Sequence, residues 1–414
     1  MPQTSTDIRF ASALSTAPTS AAAVQQIIAE LRDRIEPPID LLMLFVTVEH
    51  RAQMPQIRDR LRAALQPNTL IGTTCSGVVG VGREVESGPG MSVLAARIPN
   101  AVIQPFAHEQ AQWTRLLMTP PLLRNSIQFA FTPQEPPKAI VLIPDPFSTP
   151  MVKLLPAFAE AFPGVPVIGG MASSGRQPRQ NRLLLNDSLI NSGAVGFTLA
   201  GHVDVRTTVS QGCRPVGQPW VITRAQQHVV QELGGRNALR VVQEMVEDFD
   251  DYDQQLVQSA GLLVGRVIDE YKSYFGRGDF VIRGLAGVDP DAGYLAIGDP
   301  QVRVGQTVQF HLRDQQTAAQ DLAMLLDAQR LHGPSAGALL FTCGGRGTKL
   351  FDRPDTDATL IAQALGDVPL AGFFAAGELG PIGNANFVHG HTASLLAFRD
   401  PAAAGKTVID GLTD

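Results

Sequence analysis

Thr69-Leu70-Ile71-Gly72-Thr73-Thr74-Cys75-Ser76-Gly77 ends an apolar run in a turn of small residues, and the same figure returns twice more. It recurs as Pro166-Val167-Ile168-Gly169-Gly170-Met171-Ala172-Ser173-Ser174-Gly175 and as Pro369-Leu370-Ala371-Gly372-Phe373-Phe374-Ala375-Ala376-Gly377-Glu378. A repeat of this kind constrains architecture before any single residue is interpreted. It also bears on function, because a glycine turn after a strand lets bare backbone N–H groups approach whatever lies against it.

Working outward, each turn sits in a larger repeated unit. In the first copy, the continuous apolar run 41–48 predicts a buried strand. Ile57, Leu61 and Leu65 follow at helical spacing, then the strand before Gly72, and a last strand over 91–98. The second copy predicts strands over 139–143, 165–168 and 193–201, with Val152, Leu155, Phe158 and Phe162 on one helix face. The third predicts a strand from 338 to 343 and a helix carrying Leu360, Ile361, Ala364 and Leu365, with Asp357 or Thr356 as N-cap. It closes with a strand over 391–398. The expected fold is therefore α/β (α+β): two domains of mixed β-sheets covered by helices, built from duplicated strand–helix–strand–strand units.

Between the second and third copies the pattern weakens. The Gly/Pro-rich stretch 212–219 predicts a domain junction, and 280–287 has the form of a worn fourth copy. The expected division is a 1–30 extension with a first helix capped by Ser20, a domain over 31–211 and a domain over 212–414.

Composition narrows the function. With 44% hydrophobic and 17% charged residues the chain is globular rather than disordered. A net charge of −6 without a basic block argues against nucleic-acid binding. No apolar run reaches the roughly 18 residues that span a bilayer. Three scattered cysteines with no CxxC pair, and no signal-peptide pattern, point to the cytoplasm.

The richest chemistry lies in the third copy: Cys343-Gly344-Gly345-Arg346-Gly347, Gly377-Glu378 and His389-Gly390-His391-Thr392. If the last strand runs antiparallel to the others, these segments share one sheet edge. Arg346, set between glycines, offers a guanidinium fork for a carboxylate or phosphate. Glu378 could receive an amino group, and the plain alternative is a salt bridge between the two. His389 and His391 are weak metal candidates, since residues two apart on a strand share a face. Cys343 with His391 as base is a weak catalytic candidate. No turn matches a phosphate-binding signature, and no cofactor is expected.

These residues carry a family resemblance. The turns 72–77 and 169–175 with Gly193-Ala194-Val195-Gly196-Phe197, and the segments 343–347 and 372–381, are similar to the tandem N- and C-terminal modules of the FIST family over roughly 30–400. The resemblance implies a sensory module for small ligands, amino acids among them, found alone or fused to signalling or F-box domains. The stretch before residue 30 leaves no room for such a fusion partner. The expectation is a stand-alone protein binding an amino acid or other small polar carboxylate through Arg346, Glu378, Gly344, Gly345, Gly377 and His391, and acting through a separate signalling partner. The alternatives are a cysteine-dependent enzyme for small acyl or amide substrates, and a ligand-free interaction scaffold.

Overall fold

The computed structural model describes residues 7–127 and 136–403; the outermost parts of the expected extension and C-terminal domain, 1–6 and 404–414, lie outside the described residues. The chain divides into two compact units, Met1–Val209 with Leu322–Asp414, and Ser210–Asp321.

The first unit contains all three copies. In copy one, strands Leu41–Thr47 and Thr69–Cys75 pair in parallel with Leu44 opposite Gly72. A parallel pair needs a crossover, which helix Met54–Leu65 supplies. Strand Met91–Arg97 flanks Leu41–Thr47 antiparallel. Copy two repeats this with Ala139–Pro144, helix Met151–Ala161, Val167–Gly170 and Ala194–Gly201, and puts Leu142 opposite Gly169. Copy three uses Gly337–Cys343, helix Thr356–Leu365, Leu370–Ala375 and Ala393–Arg399, with Leu340 opposite Gly372. The repeated glycine is a packing requirement. A Cβ at Gly72, Gly169 or Gly372 would stand 2.1, 1.9 or 1.9 Å from the carbonyl oxygen of Leu44, Leu142 or Leu340.

The expected unit is thus present, and the structure adds two parts. A leading strand lies beside the last strand of each copy: Arg9–Ser15, Ala101–His108 and Asp204–Ser210. A hairpin also separates the second strand from the third, and it joins a neighbouring copy. The hairpin Val78–Gly80/Arg83–Val85 extends the sheet of copy three at Leu370–Ala375. Leu183–Leu185/Ser188–Ile190 extends copy one at Thr69–Cys75. Glu378–Ile382/Ala385–His389 extends copy two at Val167–Gly170. The exchange is cyclic and yields three six-stranded sheets of matching order.

This arrangement explains the unbroken apolar strands. One face of each sheet meets helices, as where Leu42, Leu44 and Val46 pack on Val24, Ile27, Ile57 and Leu61. The other face meets a core shared by all three copies, with Phe45, Phe341 and Phe373 in mutual ring contact at 5.0–6.4 Å between centroids. Both faces are dry, so no alternation is needed. Some helix details differ from expectation. Val152 is 55% exposed, and Met151 and Leu154 take the inward positions. Thr19 rather than Ser20 caps the first helix, accepting from the Ala22 N–H at 3.3 Å. Asp355, not Asp357 or Thr356, is the N-cap of Thr356–Leu365.

The second unit is a seven-stranded sheet with helices Ala238–Glu247 and Asp251–Ala260. All of the segment 212–219 but Gly212 belongs to its long strand Cys213–Gln226, and a register shift between Val216 and Trp220 absorbs Gly217, at φ 63°. Phe280–Asp289 is no fourth copy: it pairs antiparallel on both sides and lacks a parallel crossover.

Candidate functional site

Aligning the copies on Gly72, Gly169 and Gly372 matches Ser76 with Ser173 and Ala376, and Thr47 with Asp145 and Cys343. The residue preceding the third strand matches too: Thr47 N donates to Gly90 O at 2.9 Å, Asp145 N to Gly193 O at 2.8 Å and Cys343 N to Thr392 O at 2.9 Å. The three turns meet. Ser76 N donates to Ser173 Oγ at 2.9 Å, and both serine hydroxyls donate to Phe374 O, that of Ser76 at 3.3 Å. Ala376 N donates to Met171 O at 3.0 Å, Met171 N to Gly377 O at 2.9 Å and Phe374 N to Gly77 O at 3.0 Å. Ser76 and Ala376 are exposed here, while Ser173, Cys343, Gly344, Gly345 and His391 are half-buried.

The three first-strand ends are not equivalent in chemistry. Thr47 is buried and its Oγ1 accepts from Gly90 N at 2.9 Å. Asp145 is buried and accepts from Asn181 Nδ2 at 2.8 Å; Asn181 in turn accepts from Gly175 N and Ser174 Oγ. Only in the third copy does a reactive side chain, Cys343, stand partly open.

Arg346 is fully buried, and its partner is Asp357 rather than Glu378. Nε donates to Asp357 Oδ2 at 2.8 Å and Nη2 to Oδ1 at 2.7 Å, in the bidentate geometry that suits a guanidinium. Thr342 Oγ1 also donates to Asp357, and the Phe351 ring lies 5.3 Å from the guanidinium carbon. Nη1 reaches toward His391 O at 3.5 Å. Asp357 was missed because its position in the first helical turn reads as capping.

Glu378 is also fully buried. Its Oε2 accepts from Thr392 N at 3.1 Å and Thr392 Oγ1 at 2.7 Å, and the Cys343 side chain bonds it as well. Burial pushes its carboxyl up to about 8, against the pull of the Thr392 hydrogen bonds, the Arg346 charge and Cys343. A second such acid, Glu84, comes from the exchanged hairpin of copy one and accepts from Ala358 N at 2.9 Å. Burial, then the neighbouring Asp357, raises it to about 8. Nothing local in the sequence marks Glu84, because the hairpin exchange alone brings it here.

The last strand runs antiparallel to Gly337–Cys343, as the shared-edge expectation required. The two histidines, however, do not share a strand face. His389 ends the hairpin strand, buried, with Nε2 at 3.0 Å from Gly380 O, whereas His391 lies beyond it at φ 66°. Among the described residues no group of three or more His, Cys, Asp or Glu is arranged to hold a metal, and no helix is long and apolar enough to cross a membrane.

Family models match the chain in tandem, the FIST N domain over 40–236 and the FIST C domain over 238–381. The chain is 38% identical to the uncharacterized protein Rv0628c of Mycobacterium tuberculosis (strain ATCC 25618 / H37Rv), over 95% of this chain and 100% of that protein. It is equally similar, at 38%, to the uncharacterized protein Mb0898c of Mycobacterium bovis, over 95% of this chain and 99% of that one. Among solved structures, cyanuric acid hydrolase from A. caulinodans aligns over 94% of this chain and 99% of that chain, at 8% identity and a TM-score of 0.35.

Proposed function

The chain belongs to the FIST family, whose N and C domains it carries in tandem, and from that premise we propose that it is a sensory protein binding an amino acid or other small polar carboxylate where the three turns meet. FIST domains are associated with signal transduction and sensory ligand binding. One observation carries the location. Three strand-end turns converge on a rim of small, partly open residues, and a buried carboxyl, Glu378, stands behind it. Such a rim of small residues offers a ligand little steric opposition.

In this reading Glu378 receives the ligand's ammonium group, giving up its proton as the cation arrives. The ligand's carboxylate falls to the turn backbone at Gly377 and to His391, with Gly344 N and Gly345 N drawn in from their present acceptors, Ala375 O and Cys343 Sγ. Arg346 acts from beneath: two of its donors are committed to Asp357, so it fixes the loop and supplies field. The linear modules are 31–211 and 212–414, and the signal passes to a separate protein in the cytoplasm.

A thermal-shift screen of amino acids and small carboxylates tests this. Ligand at about 100 times its dissociation constant adds roughly 2.7 kcal/mol to stability, and Glu378→Gln shrinks the response to amino acids. Silence across both classes would favour a ligand-free scaffold and end the proposal.

A further inference from the structure

We propose that Cys343 is a nucleophile with Glu378 as its base, and that the site where the turns meet takes an acyl group from a small acyl ester. This goes beyond ligand sensing, although it uses the same rim.

The asymmetry of the three copies is the first ground. Matching strand ends carry Thr47, Asp145 and Cys343; the first two are buried and committed, and the third is a partly open thiol. The residue before the third strand is Gly90, Gly193 and then Thr392, so the group that orients Glu378 is also peculiar to the third copy. Nucleophile, base and orienting hydroxyl have therefore arisen together at one of three equivalent places.

Geometry is the second ground. Thr392 holds Oε2 of Glu378 through its N–H and hydroxyl, Oε1 receives no N–H or O–H donor, and the Cys343 side chain bonds the same carboxyl. This is the nucleophile–base–orienter order that activates a weak nucleophile. Gly345 N donates to Cys343 Sγ at 3.4 Å, which favours a thiolate. The neighbours are small: Gly344 and Gly345 follow Cys343 in the chain, and the Ser76 hydroxyl and Ala375 O lie against Gly344. Burial places the Glu378 carboxyl at about 8, near the ordinary thiol value of about 8.5, so proton transfer between them is close to balanced. The other cysteines lack this setting. Cys75 is buried, its thiol donates to Val46 O at 3.3 Å, and burial pushes it up. Cys213 is buried with its thiol on Gln211 O at 3.3 Å.

In the step, Glu378 takes the thiol proton as sulfur attacks the ester carbonyl carbon. The C–S bond forms, the ester C–O bond breaks, and the proton passes from Glu378 to the departing alkoxide. A water then attacks the thioester, giving its proton to Glu378. The C–S bond breaks, a carboxylic acid leaves, and the proton returns to sulfur. The balance is ester plus water giving acid plus alcohol.

The test uses the full chain and p-nitrophenyl acetate, with intact-mass and peptide mapping, alongside iodoacetamide labelling from about pH 6 to about pH 10. We expect acetyl to appear on Cys343 and on neither Cys75 nor Cys213. Alkylation of Cys343 at about pH 8, where Glu378 is ionised enough to accept the thiol proton, should run at least about tenfold faster than that of glutathione, and Glu378→Gln should slow both reactions at least about tenfold. Cys343→Ala should form no adduct. A wild-type Cys343 that gains no acetyl group, or alkylates no faster than glutathione, overturns the assignment even if Glu378→Gln does not fold. A folded Glu378→Gln with unchanged rates overturns it as well. Stabilisation by amino acids without any adduct leaves the sensory reading standing and ends this one.

Discussion

Two buried acids dominate the residue scale. Glu84 and Glu378 ionise near 4.5 when unfolded and near 8 in the folded protein. Between those values the folded chain holds the extra protons, so the stability they protect is complete below about pH 4.5 and drains away as pH rises toward 8. Each contributes a slope of at most about 1.4 kcal/mol per pH unit. Urea unfolding midpoints measured across this window should fall more steeply for the wild type than for Glu84→Gln or Glu378→Gln, and parallel curves would contradict the burial argument. At this scale the sequence was partly legible. Arg346 and Glu378 stood out because charge among glycines has no evident packing duty. Their partners could not be read, since Asp357 faces Arg346 by loop geometry and Glu84 arrives from another copy.

At the scale of elements, the parallel strand pair governs. Gly72, Gly169 and Gly372 each sit where a side chain would meet a carbonyl oxygen of the adjacent strand. Alanine at any of them must part the strands, and the loss should exceed the roughly 1 kcal/mol typical of single substitutions. Gly284, with open space at its Cβ position, should accept alanine with a change within about 0.5 kcal/mol. Calorimetric midpoints of the four variants decide the matter, and equal shifts would refute it. The central strands and their crossover helices were legible because burial on both faces leaves unbroken apolar runs. The hairpins were not: Val78–Gly80 and Arg83–Val85 are three residues each, too short for any periodicity to register. Cys213–Gln226 hid behind its Gly and Pro, which a register shift accommodates.

For the whole molecule, connectivity sets the third copy apart. In copy one the leading strand ends at Ser15 and the next helix begins at Ser20. In copy three the corresponding connection carries the entire second unit. Replacing 211–314 with a short Gly/Ser linker should therefore leave a protein that unfolds cooperatively and keeps the three-turn site. A product with no cooperative transition would show that the insertion is needed for folding. The cyclic exchange of hairpins has a further consequence, for synthesis. Ser76 and its acceptor Phe374 are 298 residues apart, so the earliest hairpin to leave the ribosome waits for almost the last strand. Until that strand emerges, the hairpin Val78–Gly80/Arg83–Val85 has no sheet to join. A chain halted shortly before Leu370 would expose unpaired strand edges, a ready substrate for chaperones and proteases.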